Sequence, residues 1–562
     1  MMTEYIDKSY ISLFERSVKT HWNQKALSDF HCGASYTYAE LAIQIEKIHI
    51  LFEHDGIKPG DKIALCARNW ANWAVAFLAT TTYGAVAVPI LHEFKADQVQ
   101  NIVNHSDTKL FFVGEKIWTE INPETMPGVQ TFISLIDFNP LHTRNDSLQE
   151  VYNNLDRLFA EKFPTFTKDD VKYYRYNPDG NELFIINYTS GSTGKSKGVM
   201  IPIRAIWSNV QFYVDEIGDI VSNGSVVSIL PMAHMYGLAF EVLAPLALGM
   251  HTYFLTRNPS PSMIFKAFAE VKPDFIVSVP LVIEKIMQKT VMPQIESMKM
   301  KILLKLPVIG QKIKDKIRDK LSEAFGGNFF EIIIGGAAFN KDVEKVLRLI
   351  NIKYTVGYGA TECAPLITYI HYDKTKEGSC GVVVPRMEMK ISSPDPEHIV
   401  GEILCKGDNV MLGYFKNEEE TKKALDKDGW YHTGDLGIID KDGYLFISGR
   451  CKNMLLGPSG QNIYPEEIED KLNSVPVIAE SVVIQSKKDN RLYGLIYLDA
   501  DEVKAANLTE DTLPDALEAV RKEINQDLPA YEQIAAFKVY DHEFEKTPKH
   551  SIKRFLYFDE DV

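Results

Sequence analysis

Cysteine is scarce and scattered in this 562-residue chain. Its six residues (Cys32, Cys66, Cys363, Cys380, Cys405, Cys451) form no C-x-x-C pair, which argues against a zinc site and a disulfide framework alike. A reducing cytoplasm is the expected setting. Long hydrophobic runs are also missing. The greasiest stretch, from Gly237 to Leu255, is interrupted by Glu241 and His251 and reads as core elements, not a membrane span. The opening MMTEYIDKSY lacks the basic and apolar regions of a secretory signal. Positive charge is in deficit, with 61 Lys and Arg against 76 Asp and Glu for a net charge of -15, so wholesale nucleic-acid binding is not expected.

What is present suggests a soluble enzyme of more than one domain, because the chain is too long for one compact core. From Tyr36 to Pro89 a helical pattern (YTYAELAIQIEKIHILFEHDG) gives way to the short apolar run KIALCA and then to another helix-like segment. That alternation marks an α/β domain, and it recurs around Ser225 to Pro231, Phe275 to Pro280 and Phe330 to Ile334. Beyond Gly401 short strands are broken by the turns Lys427-Asp428-Gly429 and Lys441-Asp442-Gly443. A β-rich subdomain is expected over about 390–449. The last hundred or so residues, with helices near Pro465 to Asn473 and Leu513 to Asn525, make room for one small domain.

One segment departs from the acidic average. Between Lys299 and Lys320 lie eight basic residues and two acidic ones, and Ile313, Ile317 and Leu321 recur at helical spacing. Two readings stand: a basic amphipathic helix lying on an anionic membrane surface, or an ordinary helix whose Ile and Leu residues anchor in the core.

Residues 188–200 read YTSGSTGKSKGVM. Small polar residues could form a flexible linker, but strand-like runs flank them, LFIINY before and GVMI after. A tight loop between two strands fits better. Its main-chain N–H groups, its hydroxyls and Lys195 and Lys197 would converge on an anion. A Walker loop would need glycine where Thr189 stands and a helix afterwards, so this is a different phosphate loop.

The loop TSGSTGKSKG is followed by PMAHMYG (231–237), IIGGAAF (333–339), GYGATE (357–362), YHTGDLG (431–437) and GRCKNM (449–454). In this order they resemble the adenylate-forming superfamily of acyl-CoA synthetases, peptide-synthetase adenylation domains and luciferases, from YTYAEL at 36 to IKR at 552. NIYPEEIE at 462–469, the helical insert at 281–325 and the ending KTP…IKR are most similar to bacterial long-chain fatty acid:CoA ligases. The resemblance implies an α/β fold: a large N-terminal domain (1–451) with a β-rich subdomain, and a small mobile α+β C-terminal domain (452–562) hinged near Lys452. It implies ATP, Mg2+ and CoA as co-substrates and a fatty acid of medium to long chain as substrate; the cysteine usage adds the expectation of the cytoplasm, and the basic stretch at 299–320 that of peripheral contact with the inner membrane surface.

The residue roles follow from the same resemblance. Thr189, Ser190, Gly191, Ser192, Thr193, Gly194, Lys195 and Lys197 would cradle the β- and γ-phosphates. Glu362, joined by Thr189, would hold magnesium, and Thr361 would meet the α-phosphate. In the GYGATE motif Gly357, Tyr358 and Gly359 would seat the nucleotide, with Tyr358 stacked on adenine. Asp435 would accept from both ribose hydroxyls, beside Arg450. His234 would border the acyl pocket. Gly335, Gly336, Ala337 and Ala338 would let the main chain approach nucleotide and acyl chain. Gly460 would line the pantetheine tunnel.

At one place the pattern breaks. The superfamily's closing lysine, which steadies charge developing at the α-phosphate, falls on Ser551 when Thr547, Ile552 and Arg554 are aligned. Lys549 and Lys553 lie two residues to either side and share a face with it in an extended segment; either could substitute. The alternatives to a CoA ligase are therefore a catalytically weak module that binds ATP and acyl groups, and a ligase delivering to a carrier protein, which would come in trans since no carrier domain follows Val562.

Overall fold

The computed structural model describes residues 7–189, 196–256, 259–295, 297–456, 462–486, 488–547, 551–558 and 560. The helix Tyr38–Asp55 shows how local signals set its elements. Thr37 caps it reciprocally with Glu40, and Gly56 ends it in the left-handed conformation at φ 75°. The strand Lys62–Cys66 follows, then the helix Ala71–Thr82, buried on every side and correspondingly apolar around its circumference.

The central sheet has eight strands in the order Gly413–Tyr414, Lys197–Pro202, Leu183–Thr189, Val86–Ile90, Lys62–Cys66, Thr108–Val113, Thr131–Ser134 and Pro140–Thr143. Its middle is parallel and buried; antiparallel strands close both edges. A second sheet joins Ser225–Ser228, His251–Phe254, Lys25–Asp29 and Ser35–Thr37, and a short parallel sheet joins Ile276–Ser278, Ile332–Ile334 and Tyr354–Val356. Glu241 is wholly buried in the segment between Gly237 and Leu255, which folds as helical turns and a core strand. From Met387 to Arg450 four antiparallel strands form one sheet: Met387–Ser392, Gly401–Gly407, Tyr431–Ile439 and Leu445–Arg450.

The large core runs from Tyr10 to Leu445, and a separate one begins at Ile463. The second core lies between the helices Pro465–Asn473 and Leu513–Gln526 and a three-stranded sheet of Ile478–Gln485, Leu492–Leu498 and Ile534–Tyr540. Helix Pro465–Asn473 also packs on the strand Leu445–Arg450.

The basic stretch resolves in favour of the core-anchor reading for one face. In the helix Pro307–Ala324, Ile317 and Leu321 are 9% and 4% exposed and Ile313 packs against the same core. Those three residues are therefore not available to a membrane; burial against Phe325 and its neighbours claims them.

Candidate active site

The two strands that flank the Gly-rich run pair with each other. Strand Leu183–Thr189 pairs antiparallel with Lys197–Pro202, and Thr189 stands opposite Lys197 at the open end. Ser190, Gly191, Ser192, Thr193, Gly194 and Lys195 lie outside the described residues, as do Gly460 and Lys549. Lys197 is engaged locally: it pairs with Glu420, and its ammonium sits 4.9 Å from the Tyr414 ring centroid. Lys197 and Lys423 together hold the Glu420 carboxyl well below the usual carboxylate range.

Thr361 and Glu362 lie in one tight turn, Thr361–Cys363. The Tyr414 hydroxyl donates to Glu362 Oε1 at 2.9 Å, and the Met411 N–H donates to the Glu362 carbonyl at 2.8 Å. Oε2 of Glu362 has no hydrogen-bond partner among the described residues. Among the described residues no group of three or more His, Cys, Asp and Glu side chains gathers there. A single carboxylate with an open oxygen fits magnesium, which takes one or two carboxylates and completes its shell with phosphate oxygens and water.

Asp435 is buried on the strand Tyr431–Ile439, directly opposite Arg450 in the neighbouring strand. Its Oδ2 accepts from the Tyr358 hydroxyl at 2.7 Å and its Oδ1 from Arg450 Nε at 2.9 Å. The Thr433 hydroxyl accepts the Asp435 N–H at 3.0 Å. Burial raises the Asp435 pKa, with Arg450 and Tyr358 opposing that shift. Each carboxylate oxygen carries one of these protein donors and retains acceptor capacity for a ligand hydroxyl. The Asp435 carboxylate in turn pushes the Arg450 pKa up.

Close main-chain approach explains one glycine here and a left-handed backbone explains another. Gly359 N-terminally precedes the Thr361 turn, and a Cβ there would meet the Pro365 carbonyl oxygen at 2.1 Å. Gly336 adopts φ +91° just after the strand Ile332–Ile334. Gly335 lies against the Tyr236 ring, Gly357 donates to the Ile334 carbonyl at 2.9 Å, and Ala337 and Ala338 continue this turn. The PMAHMYG and IIGGAAF segments thus touch.

His234 caps the short helix Met235–Gly237 and is half-buried. Its turn is braced from three directions. Asn187 of the hairpin donates to the Ala233 carbonyl at 2.9 Å. Asn69 donates to the Leu230 carbonyl at 2.6 Å and accepts from the Met232 N–H at 2.9 Å. Glu241 accepts from the Ile229 and Leu230 N–H groups and from Ser228 Oγ, and burial pushes its carboxyl up to about 8.

Lys452 follows in the turn after Arg450. At the C-terminal end Lys546 bridges Ile552 antiparallel, and the Thr547 N–H donates to the Ser551 carbonyl at 2.8 Å. Lys553 pairs with Glu545 at 3.1 Å within this same segment. Arg554 grips Glu469 of helix Pro465–Asn473. Tyr414, Asn187 and Asn69 were invisible to sequence reasoning. Tyr414 follows a glycine in an otherwise plain strand, Asn187 sits in the apolar run LFIINY where only its being polar stands out, and Asn69 follows Arg68 with nothing to mark it.

The fold is shared with solved adenylate-forming enzymes. o-Succinylbenzoate CoA synthetase of Bacillus subtilis, solved with its acyl-adenylate, superposes with a TM-score of 0.75 over 98% of both chains at 20% identity. ATP-bound MatB of Rhodopseudomonas palustris does so at 0.75, also over 98% of both, at 21% identity. Residues 14–415 match the family model described as AMP-binding enzyme, and 453–559 match that of the AMP-binding enzyme C-terminal domain. The chain belongs to the AMP-binding enzyme family. This AMP-binding enzyme is 25% identical to the long-chain-fatty-acid–CoA ligase FadD15 of Mycobacterium bovis, over 92% of this chain and 89% of that one. It is 27% identical to the 4-coumarate–CoA ligase CCL1 of Humulus lupulus, over 81% and 78%.

Proposed function

We propose that the protein activates a fatty acid of medium to long chain with MgATP and passes the acyl group to CoA. The observation that carries this reading is the pairing of a buried, doubly held Asp435 with a Glu362 whose second oxygen is open. That combination suits a nucleotide whose ribose and phosphates are both gripped. A carboxylate is a poor electrophile until its oxygen attacks the ATP α-phosphorus; the bond to pyrophosphate breaks and an acyl-adenylate forms. The CoA thiolate then attacks the acyl carbon and AMP leaves.

In this reading Asp435 accepts from the ribose hydroxyls beside Arg450, Tyr358 packs on adenine, and Thr361 contacts the α-phosphate. Lys195 and the hairpin tip neutralise the departing pyrophosphate. Bound magnesium would supply charge neutralisation at the phosphates, held by Glu362 with Thr189 near. His234 borders the acid. Residues 452–562 rotate about Lys452 between the half-reactions, bringing Gly460 to the thiol. The likeness to FadD15 over nearly the whole chain supports a fatty acid; the likeness to 4-coumarate ligases makes an aromatic acid the comparison to run.

Ser551 motivates a second reading, a module that binds ATP and an acid with little turnover. Pyrophosphate release by the purified protein, with acids from acetate to oleate and with coumarate, each with and without CoA, separates the two. Release that peaks at the longer fatty acids and needs CoA for turnover supports the ligase. ATP binding without release for any acid refutes it.

A further inference from the structure

The helices Met298–Leu304 and Pro307–Ala324 form a hairpin whose turn projects from the body: Lys305, Leu306, Pro307, Val308 and Ile309 are all exposed. Its apolar side chains are large and bare. Ile302 is 58% exposed, Leu306 41%, Val308 69% and Ile309 50%. The turn is a built feature, since Gly310 is buried at the crossing, where a Cβ would meet the Leu304 carbonyl oxygen at 2.4 Å. An isolated exposed leucine needs no explanation, but four such residues clustered at one convex tip do.

Around this tip stand Lys299, Lys301, Lys305, Lys312, Lys316 and Lys320, all exposed, and none has an ion-pair partner among the described residues. Asp315 and Asp319 are both taken by Arg318 at 2.8 and 2.9 Å, and Glu323, which lines the same groove as Lys312, Lys316 and Lys320, ion-pairs with none of them among the described residues. Residues 299–320 therefore carry eight positive and two negative charges, a net +6, which leaves -21 on the rest of a chain whose total is -15. This charge favours an anionic partner at this end while the rest of the molecule repels one, so the attraction also biases the orientation.

Lysine is depleted at protein–protein interfaces, and those interfaces seat anchors in shaped pockets. Here the apolar group is a knob and the charges are long, unpaired and spread over two helices. That combination suits a fluid surface, in which apolar tips enter the headgroup layer while lysines snorkel to the phosphates. We propose that the hairpin tip, Ile302 with Leu306, Val308 and Ile309, docks the protein on an anionic lipid bilayer, with the surrounding lysines meeting the lipid phosphates. The face used is the tip, not the Ile313, Ile317 and Leu321 line, which the core occupies. No helix among the described residues is long and apolar enough to cross a membrane, so the contact is with one leaflet. The proposal is independent of the acid activated.

The test is sedimentation of the full chain, without substrates, with vesicles of phosphatidylcholine alone and with added phosphatidylglycerol. Binding is expected only to the anionic vesicles and is expected to weaken with salt. Val308→Glu/Ile309→Glu, Val308→Ser/Ile309→Ser and Lys312→Glu/Lys316→Glu/Lys320→Glu should each lower the partition coefficient by about tenfold or more. The charge-matched Lys58→Glu/Lys427→Glu/Lys504→Glu, at exposed sites elsewhere, should bind close to wild type. Unchanged unfolding midpoints would show that the variants fold. Equal binding to neutral and anionic vesicles, or equal loss in the control triple, overturns the proposal. So does a dimer in sedimentation equilibrium that Val308→Glu abolishes, because the knob would then be covered by a second copy.

Discussion

Replacing Arg554 with methionine should unfold the C-terminal part of the protein well before the rest. Arg554 Nη1 donates to Glu469 Oε1 at 2.6 Å, Nη2 pairs with the other oxygen, and the Val483 N–H donates to Oε1 at 2.6 Å. Glu469 is buried and Arg554 nearly so. The variant keeps the apolar stem but strands a carboxylate in the core with one main-chain donor, a loss of about 3–5 kcal/mol. A unit of roughly a hundred residues has only about 5–15 kcal/mol in total, so the loss removes about a fifth of its stability or more. All six tryptophans lie between Trp22 and Trp430, so tryptophan fluorescence is blind to this part. In a urea titration the fluorescence midpoint should stay at the wild-type value. Far-UV circular dichroism should acquire an earlier step as the helices Pro465–Asn473 and Leu513–Gln526 melt. Glu469→Leu/Arg554→Met, which removes both charges, should recover most of the loss. Because Arg554 also seats the segment carrying Ser551 and Lys553, pyrophosphate release should fall in the single variant. Coincident single transitions at the wild-type midpoint would refute the argument.

Tyr414→Phe frees Glu362 Oε1 from its donor and should lower pyrophosphate release or magnesium affinity about 10- to 100-fold, read from a magnesium titration of the rate. Asp435→Asn removes the charge that holds Arg450 and should weaken ATP binding by about 1.5–3 kcal/mol, measured by calorimetry with tryptophan-monitored unfolding as the fold control. Burial raises the Glu241 carboxyl from an ordinary 4.5 to about 8, so between those values the folded protein keeps a proton that the unfolded chain releases. The stability this group contributes is present below 4.5 and is lost as pH rises through about 8, several kcal/mol in all at about 1.4 kcal/mol per pH unit. Glu241→Gln lacks that decline, so its Tm relative to wild type should climb across this range; a constant difference would contradict the assignment. Lys549→Ala and Lys553→Ala should separate the two candidates for the lysine missing at Ser551: the one that matters loses about 10²- to 10³-fold in adenylation rate.

Local signals in the sequence carried far. The capping pair Thr37 and Glu40 with Gly56 delimits its helix, and the strand-like runs on either side of the Gly-rich stretch are strands that pair with each other. Motif order brought the adenylate-forming fold into view before any contact was known. What stayed hidden depends on pairing across distance. Gly413–Tyr414 joins the edge of the central sheet beside Lys197–Pro202, and no periodicity marks so short a strand. The Tyr358 hydroxyl meets Asp435 across 77 positions, and Tyr414 meets Glu362 across 52. In the basic segment the helical period located an apolar line but could not say which side the core would take. Ile309 continues that line one turn before Ile313 and yet is half exposed, so spacing alone did not tell where the core stops and the bare turn begins.

The Asp435–Arg450 contact is also the last rung of its β-ladder: Arg450 ends the strand, and the chain then passes through Lys452 toward the second core. A ligand hydroxyl on Asp435 would be felt at the root of that connection within one residue pair. If Asp435 seats the nucleotide and Lys452 is the pivot, as proposed above, the two are parts of one joint, a clutch that would stiffen the base of the C-terminal part when filled and slacken it when AMP leaves.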